Sequence, residues 1–375
     1  MIVQRFAKWT REATTRERCE AATMLAETLV HGGAKGTDRD VIVASLTLLL
    51  DDPAASVRLA MARVLSGGRN VPRSLLFALA ADIQPVATQI VGNSADLSQD
   101  ELVDLAAVGS AAARRAIAER PVVPLPVSAV IAETGEAEAA LALARNDGAA
   151  ISDQSFSRLV ERFCGDGPIR DALLGRSDLP ASVRHQLMVA VGEILAQSDL
   201  LQNLFGASRA AAVAYFASER GTNLLAEKLT SRQTAQFGEH LRVSGGVTPS
   251  LLLRAVCTGN IELFTTLLAS LSRRSERRVA TIVAGGRSPA LRALVLSCGI
   301  AEGQAFLFAE AISLWRSIAR GDSTMRPAAV PAVLLARACA AGMNGKILPE
   351  AMILLRQLAR EAERDAARDT AQVAA

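Results

Sequence analysis

The chain is poor in the residues that enzymes spend on pockets. Of its 375 residues only 3% are aromatic, with one tyrosine (Tyr215), two tryptophans (Trp9, Trp315) and three histidines. Lysine is scarce as well: among 41 basic residues, only Lys8, Lys35, Lys228 and Lys346 are lysine. A genome-composition bias accounts for that as well as a demand for bidentate contacts does. Long apolar runs are missing, because the longest, Val41 to Leu50, has about ten residues where a membrane span needs about 20. Met1 to Trp9 lacks the apolar core and small-residue cleavage site of a secretion signal. The five cysteines (Cys19, Cys164, Cys257, Cys298, Cys339) stand in no metal-ligand spacing, which reads as small buried hydrophobes in a reducing compartment. Hairpin signals flanked by alternating β-formers are absent. The net charge of +3 predicts no polyanion binder on bulk electrostatics. A soluble, cytoplasmic chain without a cofactor is the expectation.

What is abundant points to helices. Half the residues are hydrophobic, and alanine and leucine, both strong helix formers, dominate them. Asp52-Pro53, Thr248-Pro249 and Ser288-Pro289 each place a capping side chain before a proline that suits a first helical turn. Ser98 and Glu101 have the spacing of a reciprocal capping box. Thr14 to Val30 reads as one helix with an apolar stripe through Ala22, Leu25, Ala26 and Leu29.

Internal repetition is the most informative signal. Leu48 to Pro53 followed by Ser56-Val57-Arg58 has the form of the second half of a HEAT repeat. In such a unit Asp52 and Pro53 make the turn, Val57 packs inward and Arg58 bonds back toward a neighbouring turn. Asp178, Pro180, Val183 and Arg184 repeat the pattern more loosely. Between the two copies Val91, Ile117, Leu143 and Leu173 fall near helix ends. Polar breaks follow them at Asn93, Arg120, Asn146 and Arg176. Spacings of about 26 to 30 residues leave room for two short helices and two turns, shorter than the usual HEAT unit of about 40. Helices that short are marginal alone in water, so each must bury a face against its neighbours. The predicted fold is all-α: a HEAT-like α-solenoid of short antiparallel helix pairs, then an irregular helical C-terminal region. The expected organisation is an N-terminal helical cap (1–38), short repeats (39–197), an irregular domain (198–345) and a terminal helix with a frayed tail (346–375). In the second half, helices are predicted over 208–218, 223–229, 232–241, 249–257, 261–271 and 302–319.

Several segments together resemble a bacterial family, the domain of unknown function 2336. They are Met1 to Phe6, Leu46 to Pro53, Arg176 to Pro180, and Leu251 to Ala255 continuing through Gly259-Asn260 to Leu263-Phe264. The resemblance spans roughly residues 1 to 310. It implies a helical-repeat fold in a bacterial cytosol, and brings no activity or catalytic residues with it.

Candidate chemistry is thin. His31, His185 and His240 are scattered, without a second ligand at metal-binding spacing, and no Gly-x-Ser-x-Gly elbow occurs. Gly32 to Thr37 fails as a phosphate loop because Lys35 precedes the last glycine, and Gly165-Asp166-Gly167 lacks a third glycine. Both read as turns. Arg273, Arg274, Arg277 and Arg278 form the densest basic cluster, read as a helical face partly balanced by Glu276 that could meet an acidic partner. No aromatic residues interleave to stack bases. The expected function is a non-enzymatic scaffold or regulatory adaptor that binds another protein along a helical-repeat surface. The alternatives are a nucleic-acid-binding array like the HEAT-like DNA glycosylases, which the charge disfavours, and a small-molecule sensor in the C-terminal half.

Overall fold

A computed structural model describes residues 2–31, 33, 35–322, 324–341 and 347–374. Among these residues the regular structure is helical, apart from one isolated parallel bridge between Val123 and Ala149. The chain divides into two compact units, Met1–Leu179 and Pro180–Ala375. Among the described residues no helix is long and apolar enough to cross a membrane. Gly32 and Ala34 of the glycine-rich turn, and Lys346, lie outside the described residues.

Among the described residues the first unit holds twelve helices in two rows. One row holds α2 (Thr15–His31), α4 (Ala55–Leu65), α6 (Gln84–Asn93), α8 (Ala111–Ala118), α10 (Ala137–Arg145) and α12 (Gly167–Gly175), each against the next. The other holds α1 (Ile2–Glu12), α3 (Thr37–Leu50), α5 (Arg73–Ala80), α7 (Gln99–Val108), α9 (Leu125–Thr134) and α11 (Asp153–Phe163), with α1, α3 and α5 in contact and α7, α9 and α11 likewise. The core lies between the rows. Val57, Leu65, Leu75, Ile90, Ile117, Ile131, Leu143 and Leu159 are wholly buried there. Ser98 closes the expected box at the start of α7: its hydroxyl accepts the Glu101 amide, and the Glu101 carboxylate accepts the Ser98 amide at 2.7 Å. At Asp52-Pro53 the outcome differs. The helix begins two residues later, at Ala55; the Asp52 carboxylate accepts the Ala54 amide at 2.9 Å, in the turn ahead of the helix, and the Arg18 guanidinium, and caps no amide within it.

The second unit comprises α13 (Ala181–Ala196), α14 (Asp199–Phe205), α15 (Ala207–Ala226), α16 (Ser231–Val243), α17 (Pro249–Thr258), α18 (Ile261–Ser272), α19 (Glu276–Gly285), α20 (Ser288–Ser297), α21 (Glu302–Arg320), a 3-10 turn (Pro327–Ala329), α22 (Val330–Ala340) and α23 (Pro349–Ala374). Its centre is the α17–α18 hairpin. Residues 251–257 and 263–269 are buried without a break, as expected of helices surrounded on all sides. Thr248 starts α17 as predicted, accepting the Leu251 amide at 3.0 Å. The helices expected over 208–218 and 223–229 are one, α15, running unbroken across Gly221. The terminal segment is helical through Ala374.

Candidate functional site

Arginine does most of the polar work in the first unit. A helix leaves its last four carbonyls without intrahelical partners, and a guanidinium presents parallel donors suited to two of them. Arg120, just past α8, donates to the carbonyls of Val91 and Ser94 at the end of α6, both at 2.7 Å. The Asn146 amide, just past α10, does the same to Ala118 and Arg120 at 2.7 Å. Arg176, just past α12, reaches Asn146 at 2.6 Å and Ala149 at 3.0 Å. In the other row Arg162 of α11 caps α9 through Ala132 and Gly135, at 2.7 and 2.8 Å. Each staple ties a helix to the one two places earlier. Burial pulls the Arg120 pKa below the usual arginine value, yet the group stays a cation in any ordinary buffer.

Ion pairs link further neighbours. Arg18 forks onto Asp52 at 2.7 and 3.2 Å, with both side chains largely buried. Arg58 forks onto Asp82 and also donates to the Asp52 carbonyl. Asp82 is pushed up by burial, but the hydrogen bonds from Arg58 and the Ile83 amide outweigh this and hold it below the usual carboxylate range. Val57 and Val183 are wholly buried. Asp178 accepts both donors of the Arg176 fork, at 2.8 and 2.7 Å, and Pro180 caps α13, on which Arg184 lies.

One open surface of this unit gathers both charge signs. A groove of 560 Å³ along α8 and α10 is lined by Arg115, Glu119, Glu138, Leu141, Ala142 and Arg145 together with Asn146. Arg115 pairs with Glu119 at 2.9 Å and with Glu138 at 3.5 Å. Its guanidinium is stabilised in the charged form, first by the Glu119 hydrogen bond.

The arginine quartet is not a helical face. Arg273 ends α18 in the left-handed region at φ 53°, Arg274 lies in the turn, and only Arg277 and Arg278 are helical, in the first turn of α19. A cation there opposes the helix dipole. All four are exposed, and none makes a side-chain hydrogen bond or ion pair among the described residues. Glu276, expected to balance them, accepts the Thr266 hydroxyl at 2.6 Å.

Two histidines that looked scattered meet in the second unit. His185 Nδ1 of α13 lies 3.2 Å from His240 Nε2 of α16, and Phe237 packs edge-on against His185. Burial, then the neighbouring His240, pushes the His185 pKa down to about 4, and burial lowers His240 too. Two neutral rings sharing a proton account for the contact. Among the described residues no group of three or more His, Cys, Asp or Glu side chains is placed to hold a metal. Burial pushes the Cys257 thiol up to about 12, which leaves it protonated and unreactive.

Two further polar clusters tie α17 to its neighbours, one to α15 and one to α23. Glu219 accepts hydroxyls from Tyr215, Thr248 and Ser250 at 2.7, 2.6 and 2.5 Å. Arg254, 1% exposed, pairs with Glu361 at 3.0 Å. An open groove of 540 Å³ between α18, α19 and α21 is mainly apolar, with Ile261, Val283, Ile312 and Trp315 on its walls and Glu262, Glu276 and Arg316 at its edge. The tip of Arg316 is occupied with the carbonyls of Val283 and Gly286, a staple like those of the first unit.

Residues 86–343 match the model of a family described as an uncharacterised protein conserved in bacteria, domain of unknown function 2336. The chain belongs to that family. The family segment takes in the mixed-sign groove, the staples from Arg120 onward, the histidine pair and the arginine quartet, and it leaves out Asp52, Arg58 and α23. No curated protein and no solved structure matches the chain.

Proposed function

We propose that this protein is a non-enzymatic interaction protein of the cytoplasm, a scaffold or regulatory adaptor. Its residues 39–197 form a HEAT-like α-solenoid that binds another protein. The observation that carries the reading is the groove along α8 and α10, where two arginines (Arg115, Arg145) and two glutamates (Glu119, Glu138) line the walls together with Leu141. Such a lining complements a partner that itself carries both signs and an apolar residue, and it repels a polyanion at each glutamate. The arginines support the same reading. Arg18, Arg58, Arg114, Arg120, Arg162 and Arg176 are committed to internal carboxylates and carbonyls, so they are not free for phosphates.

The test is affinity capture of the tagged chain from its native cytosol, with and without nuclease, alongside the Glu138→Arg/Arg145→Glu double variant. A protein partner that survives nuclease and is lost with the variant is expected; recovery of nucleic acid alone overturns the reading. A second reading, a sensor of a small apolar molecule, is favoured by the 540 Å³ groove beside Trp315. It takes precedence if no protein is captured while a low-molecular-weight extract raises the melting temperature.

A further inference from the structure

The helix α14 is an anomaly by the physics that explains the rest of the chain. It is seven residues long, Asp199–Phe205, and none of its side chains is buried. A helix that short does not persist in water without cover. Its apolar content makes the exposure costly: Leu200 is 69% exposed, Leu204 65% and Phe205 49%. The flanking segments continue the surface. Ile194 and Leu195 end α13 exposed, and α15 opens with the sequence Ala-Ser-Arg-Ala-Ala-Ala-Val-Ala-Tyr, in which Val213 is 57% exposed. Of the 25 residues 193–217, Ala210 alone is buried. A standard protein interface uses about 20–30 residues a side, and scattered single leucines would need no explanation. This is one contiguous stretch.

The same stretch holds a cavity. Between α13, α14 and α15 lies a hollow of 260 Å³ with almost entirely apolar walls, including Met188, Val191, Leu201, Phe205 and Val213. Leu201 and Phe205, the sequence neighbours of Leu200 and Leu204, form one wall of it, so α14 carries both the exposed leucines and a side of the hollow. A two-fold contact places the same patch on both sides of the interface, so it requires a surface that carries both the projection and the hole that receives it. Charge is compatible as well. Glu193, Asp199 and Arg209 are the charged residues of the stretch, close to balance, so two copies meet without strong like-charge repulsion. The alanines at 211 and 212 let helices approach closely.

We infer that residues 193–217 are the self-association surface of this protein: two copies pair about a two-fold axis, with Leu200 and Leu204 of each seated in the apolar hollow of the other. This is independent of the groove on α8 and α10.

Light scattering coupled to gel filtration on the full chain tests it. The wild type is expected at twice the 39.4 kDa chain mass, and Leu200→Glu/Leu204→Glu at the single-chain mass. Because α14 contributes no buried side chain, the variant keeps its helical circular dichroism. A Val108→Glu control, at an exposed valine of the first unit, stays dimeric. A wild type that runs as a monomer at ~100 µM, where a micromolar contact is formed, overturns the inference. So does a double variant that remains dimeric. A variant that loses its helicity is replaced by Leu200→Ser/Leu204→Ser, which is expected to dissociate with its fold intact, and persistence of that dimer overturns the inference equally.

Discussion

A guanidinium is a flat fork of donors fixed at a spacing that suits two acceptors at once, and this chain uses it where other proteins use water or glycine caps. Arg120 satisfies two carbonyls of α6 across 29 and 26 positions of sequence. Replacing it with methionine keeps bulk and leaves those acceptors bare. Arg120→Met is expected to cost about 1–3 kcal/mol, seen as a lower urea midpoint at unchanged slope. Arg120→Lys should recover only part, because an ammonium is a point donor. The preference for arginine over lysine, which composition alone attributes equally well to genome bias, has a structural use here. The histidine pair acts in the opposite direction, by staying uncharged. His185 titrates near 4 in the folded chain against an ordinary 6.5. Its folded value is depressed, so its contribution is full above pH 6.5 and drains away as pH falls toward 4. At about 1.4 kcal/mol per unit this is on the order of 3 kcal/mol. His185→Gln is therefore expected to flatten the acid limb of stability between pH 6.5 and 4, measured as urea midpoints across that range. A limb as steep as the wild type's would place the acid sensitivity elsewhere.

Helix boundaries divide into those set locally and those set by distant residues. Ser98 and Thr248 were legible as caps because the groups they bind lie three residues away. Asp52 was misread as the cap because its carboxylate serves the turn just before the helix, accepting the Ala54 amide at 2.9 Å, and is held there by Arg18, 34 positions back. Gly221 falls in the gap between the helices predicted over 208–218 and 223–229, and α15 runs through it although glycine weakens a helix interior. Its reason for being there is packing: a Cβ would fall 2.1 Å from the sulfur of Met188 on α13. Gly259 is different, because backbone geometry alone demands it. It ends α17 at φ 86°, and a Cβ there would meet the Trp315 ring at 2.7 Å, while that indole donates to the Val256 carbonyl at 2.7 Å. Gly259→Ala combines left-handed strain of about 1–2 kcal/mol with displacement of the indole. It should destabilise the chain by at least ~2 kcal/mol and shift tryptophan emission. A variant with unaltered emission would mean that the ring has room to move aside.

At the scale of the molecule, the beat of polar residues was the part of the architecture the sequence carried most openly. Three of the four breaks, Arg120, Asn146 and Arg176, are the staples that tie α8 to α6, α10 to α8 and α12 to α10. They stood out because a stack with one contact per helix pair needs one polar residue per pair. The second unit has no such rhythm, since its core is a hairpin enclosed by unlike helices, and neither the histidine contact across 55 positions nor the Glu219 network left a periodic trace. The arginine quartet was visible as composition, but its geometry was not: the left-handed turn at Arg273 splits what spacing alone makes a single face.

The staples also decide how the molecule answers a solvent. Guanidinium chloride supplies, at molar concentration, the very ion that Arg120, Arg162, Arg176 and Arg316 present to helix ends. Urea offers a pair of N–H donors too, but without the charge that strengthens each bond. A guanidinium salt therefore competes as a mimic of the protein's own fasteners, while also loosening its apolar core as any denaturant does. The usual rule that it is about twice as effective as urea becomes a lower bound for this chain, and the helix ends should let go before the core does.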